Sequence, residues 1–401
     1  MSPALPWSPV CDPWSRPIDC APFAAGVGEE LPMTRIRFAD IRFFDPKDTV
    51  SVLERRFLQF LRQRRMAKLD ALRGPDDPTA ESRDRNGAKE PQYSAFILQP
   101  DVDKARARAI AIVEGRKRAS GMAHLNKEDA SRLAAIKEGA RLVPPPSVHR
   151  TDEIAAEMHA EFPWLNDVST RFRQDLRCCA EDRSPGIRLP PIILDGAPGV
   201  AKTAFTYFLG GLLGMPVVAV NAGTENAGFG LSGSQRTWST AQPGRLINSI
   251  LDTGCASQLV LVDEVEKAGD VRSDKGIAYN LETNLLPLLE PTTAARWTSP
   301  YFEIQSDLSW VSWVLTSNNA AQLHPALRSR CHILRVRDLT AEEMSSFVAR
   351  EGLRRDLNDA AIAAAIEAVK RLRTLKPRVD LRDAIRIINQ GLAIQRRPPL
   401  H

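Results

Sequence analysis

Eight consecutive residues, Gly196-Ala197-Pro198-Gly199-Val200-Ala201-Lys202-Thr203, have the types and spacing of a loop that holds phosphate. Backbone N–H groups of such a turn can converge on phosphate oxygens, and a helix starting at its end adds the positive end of its dipole. The apolar run Ile192-Ile193-Leu194 precedes the loop and Ala204-Phe205-Thr206-Tyr207-Phe208-Leu209 follows it. Strand, turn and helix therefore come in the order this chemistry needs. Lys202 would neutralise charge on the β- and γ-phosphates, and the Thr203 hydroxyl would ligate Mg2+. The residue before the lysine, usually glycine, is Ala201. Alanine tolerates positive φ poorly, so the sequence predicts a loop that keeps Ala201 where an L-residue is allowed.

About sixty residues on, Leu259-Val260-Leu261-Val262 reads as a buried parallel strand that ends in Asp263-Glu264. The C-terminal ends of strands are where α/β sheets place their chemistry. Asp263 would hold Mg2+ through water, and Glu264 would orient and polarise an attacking water as a base. A third strand, Trp310-Val311-Ser312-Trp313-Val314-Leu315, ends in Thr316-Ser317-Asn318-Asn319. An amide at that end can hydrogen-bond the attacking water or the γ-phosphate. Pro325-Ala326-Leu327-Arg328-Ser329-Arg330-Cys331 then precedes the strand His332-Ile333-Leu334-Arg335-Val336. An arginine here can act in trans on a neighbour's nucleotide.

Taken together these blocks resemble an AAA+ ATPase, and specifically the ATPase module of Lon proteases. The Gly-x-Pro-Gly-x-Ala-Lys-Thr variant is also similar to loops in minichromosome maintenance helicases and MoxR-type ATPases. Gly233-Ser234-Gln235-Arg236-Thr237-Trp238 and Gln242-Pro243-Gly244-Arg245 resemble the Lon segment that carries a pore-loop aromatic. Asp263-Glu264-Val265-Glu266-Lys267, Leu288-Leu289-Glu290-Pro291, Tyr301-Phe302-Glu303-Ile304 and Asp307-Leu308-Ser309 follow in Lon order, and the likeness covers roughly residues 150 to 395.

The resemblance implies an α/β P-loop core with a five-stranded parallel sheet in the order 5-1-4-3-2, a C-terminal helical lid, and ATP and Mg2+ as cofactors. It implies nucleotide contacts from Gly196 through Ala204, with Thr203 and Asp263 at the metal. Asn318 resembles sensor 1, Arg330 the trans-acting finger with Arg328 as its rival, and Arg382 sensor 2 on the lid. Trp238 takes the place of an aromatic that grips polypeptide in a central pore, or else packs into a subunit contact. A homo-oligomeric ring of six subunits and a protein substrate follow from the same likeness. The stretch after the last strand suffices for a lid, so a Lon protease domain with its Ser-Lys dyad is not expected.

The chain has 401 residues, 43% hydrophobic and 26% charged, which is the composition of a globular protein of two or three domains. Its formal net charge of +5 is too mild to demand a nucleic-acid partner. Six cysteines (11, 20, 178, 179, 255, 331) show no zinc spacing and read as reduced thiols of a cytoplasmic protein. No apolar run reaches the ~18 residues of a membrane span.

Residues 1–32 are rich in proline and read as a disordered leader, with Met33 as the candidate true start. Residues 33–143 read as a largely helical recognition region. Asp48-Thr49 caps an amphipathic stretch with Val50, Leu53, Phe57 and Phe60-Leu61 on one face, and its distal half carries Arg62, Arg64, Arg65, Lys68 and Arg73. A solvated face is the first reading of those cations, and nucleic acid the alternative. Residues 74–92 read as a loop, and Pro144-Pro145-Pro146 opens a linker over 144–150. The ATPase core is expected over 151–338 and the lid over 339–398, where Thr340-Ala341-Glu342-Glu343 forms a capping box. The leading function is an ATP-driven protein remodeller without its own peptidase. The alternatives are a DNA-directed AAA+ motor or loader, and a nucleotide-gated scaffold with little turnover.

Overall fold

The computed structural model describes residues 34–72, 97–223, 227–237, 241–268, 271–272, 278–279 and 281–396. The expected leader, the loop read at 74–92 and Trp238 lie outside the described residues. The chain divides into two compact units, Asp40–Lys137 and the remainder.

In the smaller unit, α1 (Val50–Leu72) and α2 (Gln99–Ala119) pack on each other, followed by α3 (Lys127–Ala135). Arg65, late in α1, makes a two-pronged pair with Asp101 at the start of α2, at 2.7 and 2.9 Å. Arg116, late in α2, reaches Asp48 just before α1 at 3.0 Å, so the two helices run antiparallel. Leu53 is buried on the apolar face, whereas Phe60 is 58% exposed.

The larger unit is built on five parallel strands: β1 (Ile192–Gly196), β2 (Val217–Asn221), β3 (Leu259–Asp263), β4 (Ser312–Ser317) and β5 (His332–Val336). Their order across the sheet is β5-β1-β4-β3-β2, the order the resemblance implied. Parallel neighbours need long crossovers, and helices supply them. α4 (Val148–Glu161) and α5 (Asn166–Glu181) precede β1, and α6 (Lys202–Leu213) leads to β2. α7 (Arg245–Thr253) precedes β3, α8 (Leu281–Leu289) follows it, and α9 (Pro325–Arg330) delivers the chain to β5.

Alternation decides which side chains face which helix. Ile192 and Leu194 of β1, Leu259 and Leu261 of β3 and Val314 of β4 join one core with Met158, Phe172, Leu176, Phe205 and Leu209 of α4, α5 and α6. Each such side chain, fully buried, stabilises the fold by about 1.5–3 kcal/mol. The register sets Ser317 beside Asp195, Val336 beside Gly196 and Asp263 beside Asn221. All five strands therefore end along one edge.

Residues 34–39 and 138–143 belong with this unit, although the sequence assigns them to the N-terminal region. Arg35–Ile36 pairs antiparallel with Ala140–Arg141, and Arg141 exchanges backbone hydrogen bonds with Gly254 and Ala256 at 2.8 Å. Strands two residues long leave no periodicity to read.

The lid is α10 (Ala341–Arg354), α11 (Asp359–Leu375) and α12 (Leu381–Arg396). The expected capping box closes α10, with Thr340 and Glu343 bonding each other's backbone N–H. No described helix is long and apolar enough to cross a membrane. Arg354 of α10 makes a two-pronged pair with Glu161, at 2.7 and 2.5 Å, at the C-terminus of α4. Arg350 caps the same terminus by donating to the carbonyls of Ala160 and Glu161 at 2.7 and 2.6 Å. Two guanidinium groups thus meet the negative end of a helix dipole. The Glu161 side chain is 7% exposed and that of Arg354 is 36% exposed, so the pair lies between the buried and exposed limits. Replacement Glu161→Ala is expected to lower stability by about 2 kcal/mol. A thermal midpoint several degrees below wild type is the expected result, and an unchanged midpoint would show that the clamp is dispensable.

Candidate functional site

The chain leaves β1 at Gly196, turns through the loop and enters α6 at Lys202. Ala201, the N-cap of α6, sits at φ 72°, ψ 23°, in the left-handed region. This corrects the expectation that the loop spares Ala201. Turn closure wins over local preference, at a cost of about 1–2 kcal/mol for an L-residue. Gly199 is also left-handed, at φ 80°, and has no room for a side chain: a Cβ would lie 2.4 Å from a carboxylate oxygen of Asp380.

Lys202 is 7% exposed. Its ammonium donates to the carbonyl of Gly196, to that of Ala197 at 3.2 Å and to Asn318 Oδ1 at 3.2 Å. Burial pushes its pKa down, and the charges of Asp263, Glu266 and Asp195 oppose that shift. The Thr203 hydroxyl donates to Asp263 Oδ2 at 3.0 Å, and the Thr316 hydroxyl donates to Asp263 Oδ1. Thr316 also accepts the backbone N–H of Glu264 at 3.0 Å. Asn318 donates through its backbone N–H and its Nδ2 to Glu266 Oε1, at 3.1 and 2.7 Å. Glu264 itself is left-handed, at φ 54°, ψ 48°, and its carboxylate pairs with Lys267 at 2.8 Å.

The structure therefore brings together Gly196 through Thr203, Asp263, Glu264 and Asn318, with Ala204 in the first turn of α6. Among the described residues no cluster of three or more His, Cys, Asp or Glu side chains could hold a metal ion. The Thr203–Asp263 pair is instead the mixed hydroxyl and carboxylate set that suits a divalent cation shared with phosphates. A buried ammonium satisfied only by neutral acceptors likewise fits a position where phosphate oxygens can replace them. On one side of the loop lies a recess of about 430 Å³, lined by Trp164, Asp167, Arg335 and Val336 among others. Trp164 Nε1 donates to the Val200 carbonyl at 2.9 Å and so pins the loop to the recess wall.

Of the arginines expected at the site, Arg328 and Arg330 lie on α9 and Arg382 on α12. Arg330, in α9, is held by Glu290 at 2.6 Å and by the Ala326 carbonyl at 3.0 Å, while Arg328 is exposed. Arg382 is exposed on α12. The lid arginine at the loop is Arg378, which donates to the Pro198 carbonyl at 2.9 Å and pairs with Asp338 at 2.7 Å. Sequence reasoning missed Arg378, Asp380, Thr316 and Glu266. Arg378 precedes the start of α12 and carries no motif of its own, while Asp380 and Glu266 lie inside family-like blocks that gave them no role at the site.

Residues 192–339 match the family described as ATPase family associated with various cellular activities (AAA). The chain is 26% identical over 259 residues to Lon protease homolog 2, peroxisomal, of Spinacia oleracea, covering 58% of this chain and 28% of that protein. It is 30% identical over 209 residues to the Lon protease of Halothermothrix orenii, covering 52% of this chain and 26% of that one. For the Lon protease of Amoebophilus asiaticus the identity is 29% over 204 residues, covering 50% and 24%. The chain spans about a quarter of the length of these relatives.

Relief of the left-handed strain at Ala201 outweighs the extra chain entropy of glycine, about 0.5–1 kcal/mol. Ala201→Gly is therefore expected to raise the thermal midpoint by a degree or two, about 0.5 kcal/mol. A lower midpoint would show that the loop has relaxed around alanine.

Proposed function

Residues 192–339 are an AAA ATPase domain similar to that of Lon proteases, and from that premise we propose that this chain binds and hydrolyses Mg-ATP and uses the cycle to move a protein segment. Support comes from the convergence of Lys202, Thr203, Asp263, Glu264 and Asn318 at one edge of one parallel sheet. When bound, ATP supplies the phosphoanhydride that is cleaved, and Mg2+ neutralises charge on its phosphates.

The residues act as follows. Lys202 would exchange the carbonyls of Gly196 and Ala197 for phosphate oxygens. Thr203 and Asp263 would hold the ion. Glu264 leaves Lys267 to orient the attacking water and accept its proton. Asn318 fixes the water or the γ-phosphate. Arg330 leaves Glu290 to complete the site of a neighbouring subunit, in a ring taken as six-membered from the Lon likeness. Trp238 grips the moving polypeptide. Arg378 passes the state of the loop to the lid through the Pro198 carbonyl, with Arg382 just inside α12 as its partner in that role. No peptide-bond cleavage is assigned to these residues.

Steady-state Mg-ATP hydrolysis tests the proposal. Glu264→Gln is expected to lower turnover by at least about 100-fold, as removal of a catalytic base does. Addition of an unfolded protein is expected to raise wild-type turnover. A wild type that binds ATP but turns over no faster than Glu264→Gln overturns the motor and leaves a nucleotide-gated scaffold.

A second partner class is favoured by the unit Asp40–Lys137. Arg55, Arg62, Arg64, Lys104, Arg106, Lys117 and Arg118 are exposed on α1 and α2, against the exposed acids Asp103 and Glu114, so the exposed charge of that hairpin is mainly basic. Nucleic acid is the polyanion that such a surface suits, and its binding would weaken steeply with salt. Duplex DNA titrated by fluorescence anisotropy at 50 and 200 mM salt is expected to lose at least tenfold in affinity. Arg62→Glu with Arg64→Glu is expected to abolish binding. Binding that ignores salt or these changes would mark the cations as a solvated face.

A further inference from the structure

Glu266 is the group in this site that neither the phosphates nor the metal ion explains. It lies in the short helical turn Val265–Lys267, directly after the left-handed Glu264. Its Oε1 accepts both the backbone N–H and the Nδ2 of Asn318, at 3.1 and 2.7 Å. Its Oε2 is buried, and no described residue hydrogen-bonds it. A half-satisfied buried carboxylate is destabilising. For stability alone, an uncharged side chain would do better, so the arrangement calls for a reason in the site.

Asn318 supplies it. A carboxamide can turn over about its last bond, exchanging oxygen for nitrogen, and the two orientations offer a substrate opposite hydrogen-bonding groups. An ionised carboxylate only accepts, so the atom facing Glu266 must be Nδ2. An ammonium only donates, so the atom facing Lys202 must be Oδ1, which it meets at 3.2 Å. Two partners of opposite charge demand the same orientation. Lys202 is expected to turn to phosphate when nucleotide binds, and its hold on Asn318 would then lapse. Glu266 is anchored through backbone and side chain together and can keep its hold through the cycle.

Building on the ATPase reading above, we infer that Glu266 is a positioning residue that fixes the orientation of the Asn318 carboxamide and thereby one hydrogen-bond donor for the hydrolysed phosphate or the attacking water. One Nδ2 hydrogen is committed to Glu266 and the other is left to the reacting groups. The negative charge also lies close enough to Lys202 to help keep that ammonium charged.

The test is a variant set on the full chain, with kcat and KM for Mg-ATP as readouts and neutron crystal structures, which tell nitrogen from oxygen, of wild type and Glu266→Ala with a non-hydrolysable ATP analogue bound. Glu266→Ala is expected to lower kcat by about 10- to 100-fold, the usual effect of losing a partner that orients a site group, with KM changed less than twofold. Glu266→Gln keeps an acceptor oxygen for both Asn318 donors and is expected to restore kcat to within a few-fold of wild type. In the double variant with Asn318→Ala, Glu266→Ala is expected to add nothing, because the two act as one unit. Additive losses, or a raised KM with kcat intact, would overturn the assignment. Crystal structures keep it separable from the ATPase reading. If wild type does not hydrolyse ATP the ATPase reading fails, while an Asn318 carboxamide that keeps its orientation in nucleotide-bound Glu266→Ala, where Lys202 is turned to phosphate, sinks the positioning role whatever the turnover.

Discussion

The Asp263 carboxylate is the constraint on which the rest of the site depends. One of its oxygens takes the hydroxyl of Thr203, in the first turn of α6, and the other takes that of Thr316, near the end of β4. Loop, third strand and fourth strand are thereby tied at one point. This is available only because the sheet is parallel and in register, with β3 and β4 side by side and β1 beyond. A one-residue slip of β3 would turn Asp263 to the other face of the sheet and leave both hydroxyls without it. The interior runs of β3 and β4 are buried on both faces, and that burial holds the register.

The phosphate loop is in turn held from several directions by groups far apart in sequence. Trp164 takes the carbonyl of Val200, Arg378 that of Pro198, and the backbone N–H of Leu381 that of Gly199 at 3.1 Å. Three successive carbonyls point outward into partners, which leaves the inward side of the turn to its N–H groups. Two of the three partners belong to the segment that opens the last lid helix. A shift of the loop must therefore be passed to the lid or paid in broken hydrogen bonds. The same lid is also clamped by the pair of Glu161 and Arg354.

How much of this was legible in the sequence depended on whether the signal was local. The loop, the apolar strand runs, the carboxylates at the end of β3 and the capping box at Thr340 are written in adjacent residues, and the structure has them there, except that β4 runs over Ser312–Ser317 rather than 310–315. The strand order came from the family resemblance, since apolar runs alone do not order a sheet. Arg378 was not legible: Arg382 sits in the better motif-like context, whereas the residue that hydrogen-bonds the loop lies two positions before the cap of the helix beginning at Leu381. The short pairing of Arg35–Ile36 with Ala140–Arg141 was hidden for a different reason, since two residues carry no period and their partner lies about a hundred positions away.

Backbone strain sits at two points that flank the chemistry. Among the described non-glycine residues in the left-handed region are Ala201, before the lysine, and Glu264, after the metal-side carboxylate. Neither has the short side-chain amide or carboxylate that usually eases this conformation, so each costs about 1–2 kcal/mol. Both are held by the elements that follow them: Ala201 accepts the N–H of Phe205 at 2.9 Å, and Glu264 accepts that of Lys267 at 2.8 Å. Each strained residue also delivers the neighbouring group to the site. At Ala201 the turn aims the N-terminus of α6 and Lys202 inward, and at Glu264 it lifts a carboxylate off the strand end, toward Lys267 and clear of Asp263. A relaxed, negative φ at either position would continue the preceding direction of the chain and carry that group away. Strain placed at both sides of one cleft, and compensated by the helical turns behind it, is what a fold shows when geometry at the site matters more than local comfort.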